Sequence, residues 1–324
     1  MLGLREGEAP AEPRFSSELR LGRSLALPNL VQTFGPDTTG TPSASATPFP
    51  RLRCYAHCAM NIWRYEAGGS VQGISDELAE EEPLEIRVRN RAVSVTMRTP
   101  GHDEELAAGF LLTEGVVSGQ NDILRLEPCA HDRGGNILNA ILSDRIAVDF
   151  ERLTRHVFAS SSCGLCGKAT IDAVHQRLDP IEDDLRIGPD VLLALPDRLR
   201  QAQQTFDRTG GLHAAGIFTL EGEAVVVRED VGRHNAVDKV LGYGLMHGLL
   251  PFNHHVLMVS GRSSFEIMQK ALAGRVPIVA AISAPSSLAV EFAKDSGQTL
   301  VGFIRGPRMN IYSEPQRIIT IITS

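Results

Sequence analysis

Two cysteines, Cys163 and Cys166, stand two residues apart in SSSCGLCGKAT, residues 160–170. A thiol becomes a good nucleophile once it loses its proton, and a nearby cation or helix N-terminus favours that loss. Lys168 follows Cys166 by two residues. Gly164 and Gly167 let the loop bend and present sulfur to an incoming group, and the preceding serines leave the site uncrowded. These residues suit a reactive thiol that must meet large partners.

Other chemistries use the same spacing. A CxxC supplies two of the four ligands of a structural zinc, and Cys54 and Cys58, with His57 between them, could supply the rest. A thioredoxin-type redox pair would sit directly after an early strand, whereas this motif lies mid-chain. A zinc nucleobase deaminase needs H-x-E followed by P-C-x-x-C. HDE at His102–Glu104 matches the first half, but Ser162 stands where the proline belongs.

Three further polar clusters could bind a ligand. VREDVGRHNAVDKVLG packs Asp230, Arg233, His234, Asn235 and Asp238 into nine residues after a strand-like AVVV, at the kind of strand-to-helix junction where α/β proteins hold ligands. SGRSS sets Arg262 and two hydroxyls at a helix N-terminus, suited to an anion. FIRGPRMN sets Arg305 and Arg308 around Gly306-Pro307, two guanidiniums able to clamp phosphate. If SGRSS and FIRGPRMN follow strands of one parallel sheet, they share an edge. His213, in TGGLHAAGIF, reads as a structural group.

The elements that must position these groups follow from periodicity. LEIRVRNRAVSVTMRTP alternates as two strands with a turn near Asn90-Arg91. HDEELAAGFLLTEG reads as a helix on Leu106, Phe110 and Thr113, closed by Gly115. GNILNAILS and IAVDF read as strands, and ATIDAVHQRL as a helix on Ile171, Val174 and Leu178. HVLMVSG, VPIVAAIS and TLVGFIRG are strands separated by the helices RSSFEIMQKALAG and SSLAVEFAKDSG, which predicts a parallel layer with right-handed crossovers. Ser263 and Glu266 are spaced as a capping box, Phe265, Met268 and Leu272 share a face, and Gly274 can end that helix.

Composition sets the frame. The 324 residues, 43% hydrophobic, suffice for two domains or one large one. The net charge of −7 gives no reason to expect nucleic-acid binding. No apolar run reaches a membrane span, and the N-terminus has no apolar signal core. Five cysteines argue for reduced thiols rather than a disulfide scaffold. A cytoplasmic protein is expected. Residues 1–60, rich in Pro, Ser and Thr, are expected to be disordered or loosely attached.

Taken together, LAAGFLLTEG, SSSCGLCGKA, TGGLHAAGIF, REDVGRHNAVDKV, SGRSSFEIMQKA, SAPSSLAVEFA and LVGFIRGPRMNIYS resemble the FdhD family. These are sulfur carrier proteins, or accessory sulfurtransferases, of formate dehydrogenase. The resemblance runs from about Trp63 to Tyr312 and does not reach Cys54 or Cys58.

The resemblance implies an α/β fold with a cytidine-deaminase-like three-layer domain over residues 156–324. A smaller α+β subdomain would occupy residues 61–155. It implies a persulfide passed from a cysteine desulfurase to Cys163 and on to the molybdenum bis(molybdopterin guanine dinucleotide) cofactor, which becomes active in formate dehydrogenase. Cys166 would assist transfer or resolve the product. The cofactor-binding stretch maps to Phe303, Ile304, Arg305, Gly306, Pro307 and Arg308, with Arg233, His234 and Arg262 as further pocket candidates. A homodimer with no metal of its own is expected. A zinc-stabilised nucleotide-binding module and a deaminase-like zinc hydrolase remain the competing readings.

Overall fold

The computed structural model describes residues 56–129, 132, 134–154 and 178–318. Cys54, Cys163, Cys166 and the expected helix at 169–178, save its last residue, lie outside them.

An antiparallel ribbon opens the described chain, β1 (His57–Tyr65) with β2 (Val71–Ala79). It straddles the expected boundary at residue 60. The next strands, β3 (Glu82–Val88) and β4 (Arg91–Arg98), form the predicted hairpin. Its turn is one residue earlier than expected: Arg89 and Asn90 both take positive φ, 48° and 65°, the backbone of a tight hairpin turn. With β5 (Ile123–Pro128) and β6 (Ile137–Leu142) they form a four-stranded sheet ordered β4-β3-β6-β5. Helix α1 (Asp103–Thr113) follows β4. IAVDF is not a strand: residues 146–149 are irregular, and Phe150 begins the short helix α2 (Phe150–Thr154).

Two helices, α3 (Pro189–Gln201) and α4 (Gln204–Thr209), precede the main sheet. That sheet is ordered β12-β11-β10-β9-β7-β8. Its strands are β7 (His213–Thr219), β8 (Ala224–Asp230), β9 (His255–Val259), β10 (Ile278–Ala281), β11 (Thr299–Arg305) and β12 (Arg308–Ser313). Between them run α5 (Arg233–Met246), α6 (Phe265–Ala273) and α7 (Ser287–Asp295). Strands β9, β10 and β11 pair in parallel, as predicted. Strand β7 runs against both β8 and β9, so β8 points the same way as the parallel three.

Alternate residues of the sheet feed two cores. Ala214, Phe218, Val256, Met258, Ile278 and Ala280 pack with Leu192, Leu195 and Leu199 of α3. The opposite face, through Ala215, Ile217, Leu257, Val279 and Leu300, joins α5, α6 and α1 in a core that continues into Leu84, Ile86 and Val88 of the four-stranded sheet. The order is α3, main sheet, helices, second sheet. The expected subdomain at 61–155 therefore shares its core with the rest.

Glycines allow this closeness. An added Cβ on Gly109 of α1 would lie 1.8 Å from the Asp238 carbonyl oxygen, and one on Gly242 of α5 would lie 1.8 Å from that of Glu105. The two helices touch backbone to backbone.

Candidate functional site

Strands β8 to β11 all end at one edge of the main sheet, and β7 begins there. Three helices start from the same edge. Loops 231–232, 260–264 and 282–286 line it, together with the β11–β12 turn. The two arginine segments therefore share an edge, as their strand-following positions predicted.

Asp230 ends β8 fully buried and turns inward. It meets Lys239 Nζ at 2.7 Å and accepts from Asn235 Nδ2 at 2.9 Å and from the main-chain N–H groups of Gly232 and Thr99. Asp238 likewise faces inward, accepting from Lys270 Nζ at 2.8 Å and from Thr113 Oγ1 at 2.9 Å. Three of the five polar residues expected at this junction are thus engaged in the fold: Asp230 and Asn235 tie α5 to β8 and the end of β4, and Asp238 ties α5 to α1 and α6. Arg233 and His234, in the first turn of α5, remain at the edge.

His234 Nε2 lies 2.9 Å from Glu266 Oε2, in the first turn of α6, and 3.4 Å from Ser264 Oγ. The expected capping box is not formed. Ser264, not Ser263, is the residue before the helix, and its side chain makes no capping hydrogen bond. Glu266 is spent on His234 instead, with its other oxygen Oε1 buried and without a partner among the described residues, as is Ser263 Oγ. The next loop is tied alongside: Ser263 bridges to Pro285, and Ser286 N–H donates to the Ser263 carbonyl at 3.0 Å.

At β11 the register slips between Gly302 and Arg305. Phe303 takes φ 53° there, and its N–H donates to the Ser283 carbonyl at 3.1 Å. A bulge of this kind re-aims side chains, and a bulky residue in the left-handed region is strained. Phe303 is 39% exposed, while the Ile304 side chain is buried in the α3-side core and turned away from the edge loops. Arg305 and Arg308 stand directly opposite across the Gly306-Pro307 turn. Like charges so placed repel, and a bound anion would relieve them. No carboxylate among the described residues pairs with Arg262, Arg305 or Arg308.

His213 is the site residue that sequence reasoning missed. It starts β7 opposite Asp230, and no group among the described residues hydrogen-bonds its ring. Burial and the nearby Arg233, His234 and Arg262 charges hold its pKa below the usual histidine value, against the opposing pull of Asp230. Its position at a strand start beside Gly210-Gly211 was the available signal.

Among the described residues no group of three or more His, Cys, Asp or Glu is arranged to hold a metal ion. His102 turns to Glu105 at 3.4 Å. No described helix is long and apolar enough to cross a membrane.

The FdhD/NarQ family profile matches residues 79–319. The chain belongs to that family. A sulfur carrier protein FdhD of Streptomyces avermitilis is 51% identical over 258 residues, 77% of this chain and 92% of that protein. Its counterpart in Mycobacterium tuberculosis is 49% identical, covering 75% of this chain and 92% of its own length. A crystal structure named for a formate dehydrogenase accessory protein of Desulfotalea psychrophila superposes with TM-score 0.65 at 25% identity, over 82% of this chain and all of that one. The family match spans both sheets, so the cationic edge is carried by the matched region.

Proposed function

We propose that the protein is a sulfur carrier for formate dehydrogenase maturation, working as a sulfurtransferase in the cytoplasm. The observation that carries this reading is the 51% identity, over most of both chains, to a protein named sulfur carrier protein FdhD. In the reaction, the Cys163 thiolate attacks the outer sulfur of a cysteine desulfurase persulfide. The desulfurase leaves as a thiolate, and Cys163 carries the extra sulfur. Nucleophilic acceptance of that sulfur by the next partner returns the Cys163 thiolate. Cys166 assists transfer when its thiolate attacks the outer sulfur of the Cys163 persulfide, displacing the Cys163 thiolate and carrying the sulfur onward.

The acceptor is the molybdenum bis(molybdopterin guanine dinucleotide) cofactor, a phosphate-bearing substrate. The chemistry of the edge fits such a group. Arg262, Arg305 and Arg308 lack carboxylate partners among the described residues, and Arg233 and His234 stand at the N-terminus of α5. Phe303, Gly306 and Pro307 form the exposed turn beside them. A second copy of the chain is the expected assembly partner.

Mass spectrometry after incubation with a desulfurase and cysteine tests the assignment. A gain of one sulfur atom on the Cys163 peptide, absent in Cys163→Ala, is expected. The variant should fold normally yet leave formate dehydrogenase inactive in cells. Full enzyme activity with Cys163→Ala as the sole copy would overturn the reading.

A further inference from the structure

Beside Arg305 and Arg308, four further basic groups among the described residues stand at the edge. Arg233 and His234 come from α5, Arg262 from the β9–α6 loop, and His213 from β7. Among the described residues two carboxylates are close, and both are engaged. Asp230 is saturated by Lys239, Asn235 and two main-chain N–H groups. Glu266 faces His234.

His213 is therefore the edge imidazole with no hydrogen-bond acceptor among the described residues, Asp230 attracting its positive charge only through space. Its Nδ1 lies 3.4 Å from the point where a Cβ on Gly261 would stand, and Arg233 Cδ lies 3.7 Å from the same point. The bare backbone of Gly261 leaves the imidazole and the Arg233 stem side by side at the mouth of the loop.

We propose that His213 is an anion-contact residue that takes up a proton when a dianionic phosphate-type group docks beside Arg233 and Arg262. The neighbouring guanidiniums disfavour the imidazolium while the edge is empty, in line with the lowered pKa of His213. A dianion cancels their field and offers the ring an acceptor, so protonation and binding reinforce each other. The site then prefers a dianion over a monoanion. This rests on the reading of the edge as the dock for a phosphate-bearing substrate.

Sulfate is the probe, because it stays a dianion across the pH range of interest and brings no titration of its own. Histidine-labelled full-length protein is titrated by NMR with and without saturating sulfate, and His213→Asn assigns the His213 signal. The His213 midpoint should move upward with sulfate, and sulfate affinity should fall by up to tenfold per pH unit above the midpoint of the free protein. In His213→Asn that component of the pH dependence should vanish. If sulfate shifts the Gly261 and Arg262 amide signals while His213 titrates unchanged, the proton coupling is wrong and the anion dock stands. If sulfate perturbs none of these signals, both fail.

Discussion

Asp230, fully buried, is satisfied on every side: an ammonium, an amide and two main-chain N–H groups. Removing one member of such a pair strands the other charge in the core. Asp230→Ala is expected to cost about 3–5 kcal/mol, read by urea denaturation. Arg305 and Arg308 are the opposite case, exposed and opposed to each other. Replacing both with serine should leave stability within about 0.5 kcal/mol and weaken anion binding, most visibly at low salt. The spacing of the chain placed the arginines at a turn after a strand, as found, because such a turn is a local feature. It could not separate Asp230 from His234: Gly232, Asn235 and Lys239 are close to both in sequence, and the distant partner that turns Asp230 inward, the Thr99 N–H, follows β4. Glu266 misled for a related reason: its distance from Ser263 suits a cap, but the imidazole that claims it lies on another helix.

Helices α6 and α7 and strands β9 to β11 were legible, the strands as short apolar runs and the helices from one apolar face each, with turn residues between them. Helix α3 was not read, although Leu192, Leu195 and Leu199 share a face. Pro196 sits inside it, and an internal proline removes a hydrogen bond and argues for a break. Burial of that leucine stripe against the sheet outweighs the loss. IAVDF failed in the other direction: its alternation is that of a strand, yet no edge accepts it, and Phe150 starts a helix whose ring lies 4.0 Å under the Arg91 guanidinium. The α1–α5 crossing was invisible, since a glycine in a helix does not announce what approaches it. Gly242→Ala forces Cβ into the Glu105 carbonyl and is expected to destabilise by more than about 3 kcal/mol, through displacement of whole helices. Thermal melting would check this, with the exposed Gly306→Ala turn variant as a contrast: its cost comes from positive φ alone and should be about 1 kcal/mol.

Across the molecule, Glu105 links α1 to β8 by a two-pronged pair with Arg228, at 2.5 and 2.7 Å. Burial alone would raise its pKa. The hydrogen bonds and charges of Arg228 and His102 outweigh that and lower it from 4.5 to about 2. A lowered folded pKa stabilises above the unfolded value, so this contribution is whole above about pH 4.5 and is lost as pH falls toward 2. On the order of 2 kcal/mol should disappear over that interval. Arg228→Met should flatten this part of the stability–pH curve, measured by denaturation at a series of pH values.

The backbone contact between Gly109 and Gly242 also bears on how the polypeptide can be divided. A gene cut between residues 155 and 156 would yield two fragments, each with a greasy stripe that water cannot solvate. Made singly they should precipitate. Made in the same cell they should recover each other and return to solution as a nicked but native particle.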